Sequence, residues 1–221
     1  MVSNHRLDRL TRLTTQFSKK WAKGEPKSLS EGLKEVVRPA EPLKPRLDQA
    51  TRQIQTQVTK LDNRLEKLKE KESSIFKRMV AGMEKHDSQT GTSLSNELAE
   101  VRKTEKLVSQ GKIALEQIML RLGTVKDLGD VVTTIAPAMS IVKSVRSGLI
   151  NFMPEAGHEM GEISSMLSSI LADAGQLGEF TLNFQVANED AEKILAEASI
   201  IAEKRMKDKF PELPMPTKEA I

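Results

Sequence analysis

The sequence predicts an all-α fold: a long antiparallel helical hairpin with shorter C-terminal helices. Three observations predict it. Proline is absent from Arg46 to Ala136 although the flanking stretches contain it. Within that span apolar residues recur seven apart along two separate stretches, the pattern of helices that pack lengthwise. Aromatic residues make up 3% and charged residues 29% of the 221-residue chain, a composition suited to thin assemblies of long helices rather than to a wide core.

Residues 5–23 place Leu7, Leu10, Leu13, Thr14, Phe17 and Trp21 three and four apart, one apolar stripe on a helix. Arg6, Arg9, Arg12, Lys19, Lys20 and Lys23 fill much of the remainder, opposed only by Asp8. A helix of this kind can lie in a membrane interface, with cations on anionic headgroups and Trp21 at a depth that tryptophan favours; it can equally dock on its own core. Gly24, Pro26, Gly32, Pro39, Pro42 and Pro45 then mark a linker.

The first seam is Leu47, Ile54, Leu61, Leu68 and Ile75, with Val58, Leu65 and Met79 alongside; Thr51 and Glu72 interrupt it. His86–Ser93, with Gly91 and several small polar residues, reads as the connecting loop. The second seam is Leu94, Val101, Val108, Leu115 and Leu122, accompanied by Leu98 and Met119. Glu105 and Lys112 fall in its companion row, where they could mark contacts with another chain. Past Gly123 and Gly129 the chain is more apolar and contains Pro137, and Ile163, Met166, Leu167, Ile170 and Leu171 form a further helical face. TLNFQV reads as an irregular connection, with Asn188 capping a last helix.

The net charge of +3 conceals a split. Residues 1–85 carry 20 Lys+Arg and 11 Asp+Glu, a net +9; residues 86–221 carry 14 and 20, a net −6. Such halves can attract within one molecule or between neighbours. There is no cysteine, hence no disulfide framework and no thiolate chemistry. No apolar run approaches the roughly 18–20 residues that span a bilayer, and the N-terminus lacks the apolar core of a signal peptide. The expectation is a soluble, cytoplasmic protein.

Nothing in the sequence builds a reaction centre. Lys106 stands where a phosphate loop ending at Gly111-Lys112 needs a glycine. His158-Glu159-Met160-Gly161-Glu162 begins like a zinc-protease helix, but Glu162 replaces the second histidine ligand. No catalytic residue, metal site or cofactor is expected. Nucleic acid is not expected either, since single-strand binding interleaves cations with aromatics and residues 25–150 hold only Phe76.

The tail KDKFPELPMP sets Phe210, Leu213 and Met215 among Pro211, Pro214 and Pro216. Prolines hold an extended conformation that loses little entropy on binding, which suits a docking peptide. With the basic start, the hairpin at 46–125, the block NFMPEAGHEMGEISSMLSSILADAG and the acidic C-terminal region, this tail resembles the ESCRT-III family, specifically its archaeal cell-division branch. The resemblance covers nearly the whole chain. It implies a non-enzymatic filament former that polymerises with itself and related subunits on an anionic membrane, at the inner face of the cell membrane at the division site. It also implies that residues 210–216 bind the MIT domain of a AAA+ ATPase, and that a closed form folds the acidic C-terminal helices onto the hairpin. Some archaeal members carry a winged-helix segment after the tail; here Ile221 is the last residue, so direct tethering to a membrane-recruiting subunit is not expected.

The expected division is a membrane-binding helix at 1–24, a linker at 25–45, a helical core at 46–174, an acidic regulatory region at 175–206 and a partner-binding tail at 207–221. A soluble coiled-coil adaptor that recruits a partner through its tail is the competing expectation.

Overall fold

In the computed structural model, residues 42–126, 128–178 and 184–209 are described; among them are five helices and no strand. These are α1 (Leu43–Glu84), α2 (Ser88–Gly123), α3 (Leu128–Leu149), α4 (Pro154–Gly178) and α5 (Phe184–Lys209). The all-α hairpin architecture expected from the sequence is the one found.

Helix α1 starts inside the proline-rich zone, at Pro42. Pro45 is tolerated in its first turn because the first amides of a helix have no intrahelical acceptor. The 42 residues of α1 make a rod about 60 Å long. All five residues of each seam are buried, so the two rows face each other along the hairpin.

The loop is shorter than the sequence suggests. Helix α2 resumes at Ser88, because the Asp87 carboxylate accepts the Thr90 amide at 3.0 Å and caps it. His86 takes the left-handed conformation (φ 57°) that reverses the chain. Gly91, read as part of the loop, lies within the helix.

The residues that interrupt the seams have partners inside the chain. Thr51 donates its hydroxyl to the Leu47 carbonyl one turn back, at 2.9 Å. Glu72 is 2% exposed and accepts Arg102 Nε at 2.6 Å across the hairpin. Lys112 pairs with Asp62 on α1, and Glu105 is 4% exposed within the same core. The expectation that Glu105 and Lys112 mark contacts with another chain is thereby corrected: one is buried in the hairpin and the other is bonded across it. Sequence alone cannot register such cross-pairing, which depends on which α1 residue lies opposite.

Helices α3, α4 and α5 cover one end of the hairpin. Helix α4 runs along α1, α3 lies on α2, and α5 packs on both α2 and α3. Pro137 sits inside α3, and Val131, Ile135, Ile141, Val142, Val145 and Leu149 are buried around it. The last helix begins at Phe184, earlier than expected, so Asn188 is not its cap. Asn188 instead accepts the Ser140 hydroxyl from α3 at 2.8 Å.

Replacing Arg102 with Met should destabilise the protein by about 3–5 kcal/mol in urea unfolding, because it strands a buried carboxylate. Adding Glu72→Met should return most of that loss. A single variant as stable as the parent would remove the pair from the account of the hairpin's register.

Candidate functional site

The residues expected to meet membrane (Arg6, Leu7, Arg9, Leu10, Arg12, Phe17, Lys19, Lys20 and Trp21) lie outside the described residues, as do the tail residues Phe210, Pro211, Leu213, Pro214, Met215 and Pro216. Within the described residues, the candidate functional feature is the seat on which the C-terminal helices rest.

Three hairpin cations meet three C-terminal carboxylates there. Near the open end of the hairpin, Arg46 of α1 pairs with Asp173 of α4 and donates to the Ser169 hydroxyl at 2.5 Å. Further along, Lys60 donates to both carboxylate oxygens of Glu159, at 2.5 and 2.6 Å. The Gln57 amide adds a third bond to Glu159, at 2.5 Å. On the other rod, Lys106 of α2 lies 3.4 Å from Glu203 of α5, which Lys207 also approaches at 3.3 Å. The basic half supplies two of these three cations, Arg46 and Lys60, and the acidic half supplies Lys106 and all three carboxylates.

These contacts have a directional effect on acidity. Hydrogen bonds from Lys60 and then Gln57 hold the Glu159 carboxyl below its ordinary range, against a smaller opposing effect of burial. The Glu203 carboxyl is likewise lowered, first by its bond to Lys207 and then by Lys106. Across the hairpin, the Lys112 bond lowers Asp62. The side chains of Lys60 and Glu159 are 44% and 35% exposed, so solvent screens them and an isolated pair of this kind contributes about 0–1 kcal/mol.

Apolar packing beneath the pairs differs between the two helices. Helix α4 buries Met160, Ile163, Leu167, Ile170 and Leu171, whereas α5 buries Ala187, Ala191, Ile194, Ala198 and Ala202. Between α2 and α3 the approach is close at Gly111, where a Cβ would stand 3.0 Å from Val145 Cγ1. A glycine there lets the helices touch, and any side chain would force them to shift.

The zinc-like stretch is accounted for by the same seat. Glu159 is held by Lys60, and His158 Nε2 lies 3.5 Å from Glu162 on an exposed face. Among the described residues no group of three His, Cys, Asp or Glu could hold a metal ion, and no described helix is long and apolar enough to cross a membrane. Sequence reasoning did not single out Arg46, Gln57 or Lys60, and it met Lys106 and Gly111 only in rejecting a phosphate loop. The charge split pointed toward Arg46 and Lys60 as part of a basic half, without selecting individual residues, and away from Lys106.

The chain is similar to Cell division protein B1 of Sulfolobus acidocaldarius, with 36% identity over 207 residues, covering 93% of this chain and 92% of that protein. It is also similar to Cell division protein B of the same organism, with 29% identity over 166 residues, 75% of this chain and 64% of that protein. No family model matches the chain, and no solved structure matches it.

If the crossing pairs help to seat the helices, raising salt should speed hydrogen exchange in α5 more than in α1, since exposed charges are screened within a Debye length of about 10 Å at 0.1 M. Equal protection of α5 at low and high salt would show that the pairs do not hold it. The sign for pH follows from the lowered carboxyls. Their contribution is complete above the ordinary carboxylate range and is lost as pH falls through the lower folded value of Glu159. Exchange in α4 should therefore rise in acid below about pH 4, and Glu159→Gln should flatten that dependence.

Proposed function

The chain belongs to the CdvB family of archaeal cell division proteins, and on that premise we propose that it is a filament-forming, membrane-remodelling subunit of ESCRT-III type that acts in archaeal cell division. Its proposed partners are further copies of itself, related subunits, an anionic membrane surface and the MIT domain of a AAA+ ATPase. The relatives are named for cell division, and this supports the cellular role.

One structural observation carries the polymer reading. Toward its C-terminal end the first rod leaves Phe76, Val80 and Met83 exposed at 38%, 38% and 64%. They fall four and three apart, so they lie along one face of the helix. A projecting rod with an apolar stripe at its tip suits a contact with a second copy. A tip that docks on a different surface of the next copy makes a heterologous contact, and repetition of such a contact gives an open filament when its rotation does not close.

The seat supplies the regulatory half of the proposal. With α4 and α5 resting on the hairpin, the acidic region occupies the cations Arg46, Lys60 and Lys106. Anionic lipid competes for the same cations, so membrane contact and release of the helices are coupled. Residues 1–24 bring the chain to the surface, and residues 207–221 present the handle by which the ATPase remodels the filament. The chain itself performs no catalysis in this scheme.

Co-sedimentation with anionic liposomes tests the membrane half: the intact chain should pellet, and a chain lacking residues 1–24 should largely stay in solution. Equal behaviour of the two would favour the soluble adaptor. A peptide covering residues 207–217 should bind the ATPase's MIT domain, and Leu213→Asp should abolish binding; undiminished binding would remove the tail from the scheme. The polymer half is tested at the hairpin tip. Phe76→Asp with Met83→Asp should prevent filaments in electron micrographs while leaving the unfolding midpoint almost unchanged, because both side chains are exposed. Filaments as abundant as those of the parent would exclude the tip as the interface.

A further inference from the structure

At the elbow where α4 begins, a cavity of about 470 Å³ opens between α1 and the turn joining α3 to α4. Its α1 wall carries Lys60, Arg64 and Lys67, at helical spacing on one face. Phe152 and Met153 of the turn form the apolar side, and both pack against the hydrophobic core. Lys60 is engaged by Glu159. Arg64 and Lys67 are not engaged in this way. Arg64 Nε is shielded from solvent and has no hydrogen-bond acceptor within the protein, an arrangement that folded proteins avoid unless something else supplies the acceptor.

We propose that this elbow cavity is a phosphate-binding site, with Arg64 and Lys67 as its ligands. A phosphate can take two parallel bonds from the edge of a guanidinium; the edge that includes Nε is unsatisfied here, and a rotation of the half-buried Arg64 side chain turns it from its shielded position into the cavity. Lys67, one turn further along α1, adds a point charge. Glu155 also lines the cavity, and its carboxylate disfavours an anion held by charge alone, so binding depends on the arginine fork. The apolar wall of Phe152 and Met153 accommodates a phosphate ester with a hydrocarbon neighbour. A lipid headgroup and a free phosphate ester share this chemistry. The site is built from residues other than 1–24 and 207–221, and it goes beyond the polymer reading without requiring it.

The test uses the full chain and an R64Q/K67Q variant, neither residue having a partner whose loss would unfold the protein. One arm titrates inorganic phosphate at constant ionic strength and follows the thermal midpoint. The other compares vesicles containing phosphatidic acid with vesicles of equal surface charge containing a fatty acid. In at least one arm the parent should show a phosphate-specific response that the variant loses about tenfold or more, as removal of two headgroup cations implies. A response to soluble phosphate assigns a free ester, and a response confined to phosphatidic acid vesicles assigns a headgroup. Parent and variant behaving alike in both arms, including no response from either, overturns the proposal. If the N-terminal membrane reading fails, the soluble arm still reads this cavity.

Discussion

The structure depends on the seam between two rods that cannot slide. Rows of leucine, isoleucine and valine seven apart would accept several registers, since one turn of slippage replaces each apolar contact by a similar one. The buried pair of Glu72 with Arg102 removes that freedom. A shift of one turn would leave a carboxylate inside the seam without its guanidinium, a far larger penalty than any loss of apolar contact. Lys112 with Asp62 repeats the constraint nearer the open end. With register set at two points, every surface that the hairpin offers, from the seat of α4 to the bare tip, is held at a fixed place.

On that frame the C-terminal helices are attached unequally. Burying one methylene contributes about 0.8 kcal/mol, so a face of Ile163, Leu167, Ile170 and Leu171 adheres much more strongly than one built mainly from Ala187, Ala191, Ala198 and Ala202. Helix α5 also crosses to the hairpin through an exposed pair at 3.4 Å, while Glu159 of α4 receives three close bonds. The attachment is therefore graded, weaker for α5 than for α4. At Gly111 helix α3 comes close to α2.

The hairpin was readable from sequence because sevenfold rows repeat over five positions, and repetition suppresses accident. Even the interruptions were visible as Thr51, Glu72, Glu105 and Lys112, but their meaning was not. Whether a charged residue in a seam faces an opposite charge depends on a residue tens of positions away, and no local pattern encodes that distance. The turn was over-read for a related reason: Gly91 and its polar neighbours look like a loop until the Asp87 cap is seen to start a helix beneath them. Asn188 was misplaced because a capping residue type is common inside helices too. The seat itself was legible only as an excess of charge in each half of the chain.

That α4 and α5 are joined to the hairpin by ion pairs, those of Lys60 and Lys106 well exposed, rather than by more leucine is physically meaningful. Apolar contact between α5 and the hairpin could be undone only by offering another apolar surface of similar area. An exposed ion pair is close to balanced against water, so either partner can change hands at little net cost. An anionic surface presents many charges at once, and each cation near it gains about 1 kcal/mol; in the proposed scheme Lys60 and Lys106 thus have an alternative to Glu159 and Glu203. The displaced carboxylates are repelled by the same surface, which adds to the drive without any further contact. In the proposed scheme such a seat yields where negative charge is dense, because its two states differ by exchange of partners rather than by loss of them.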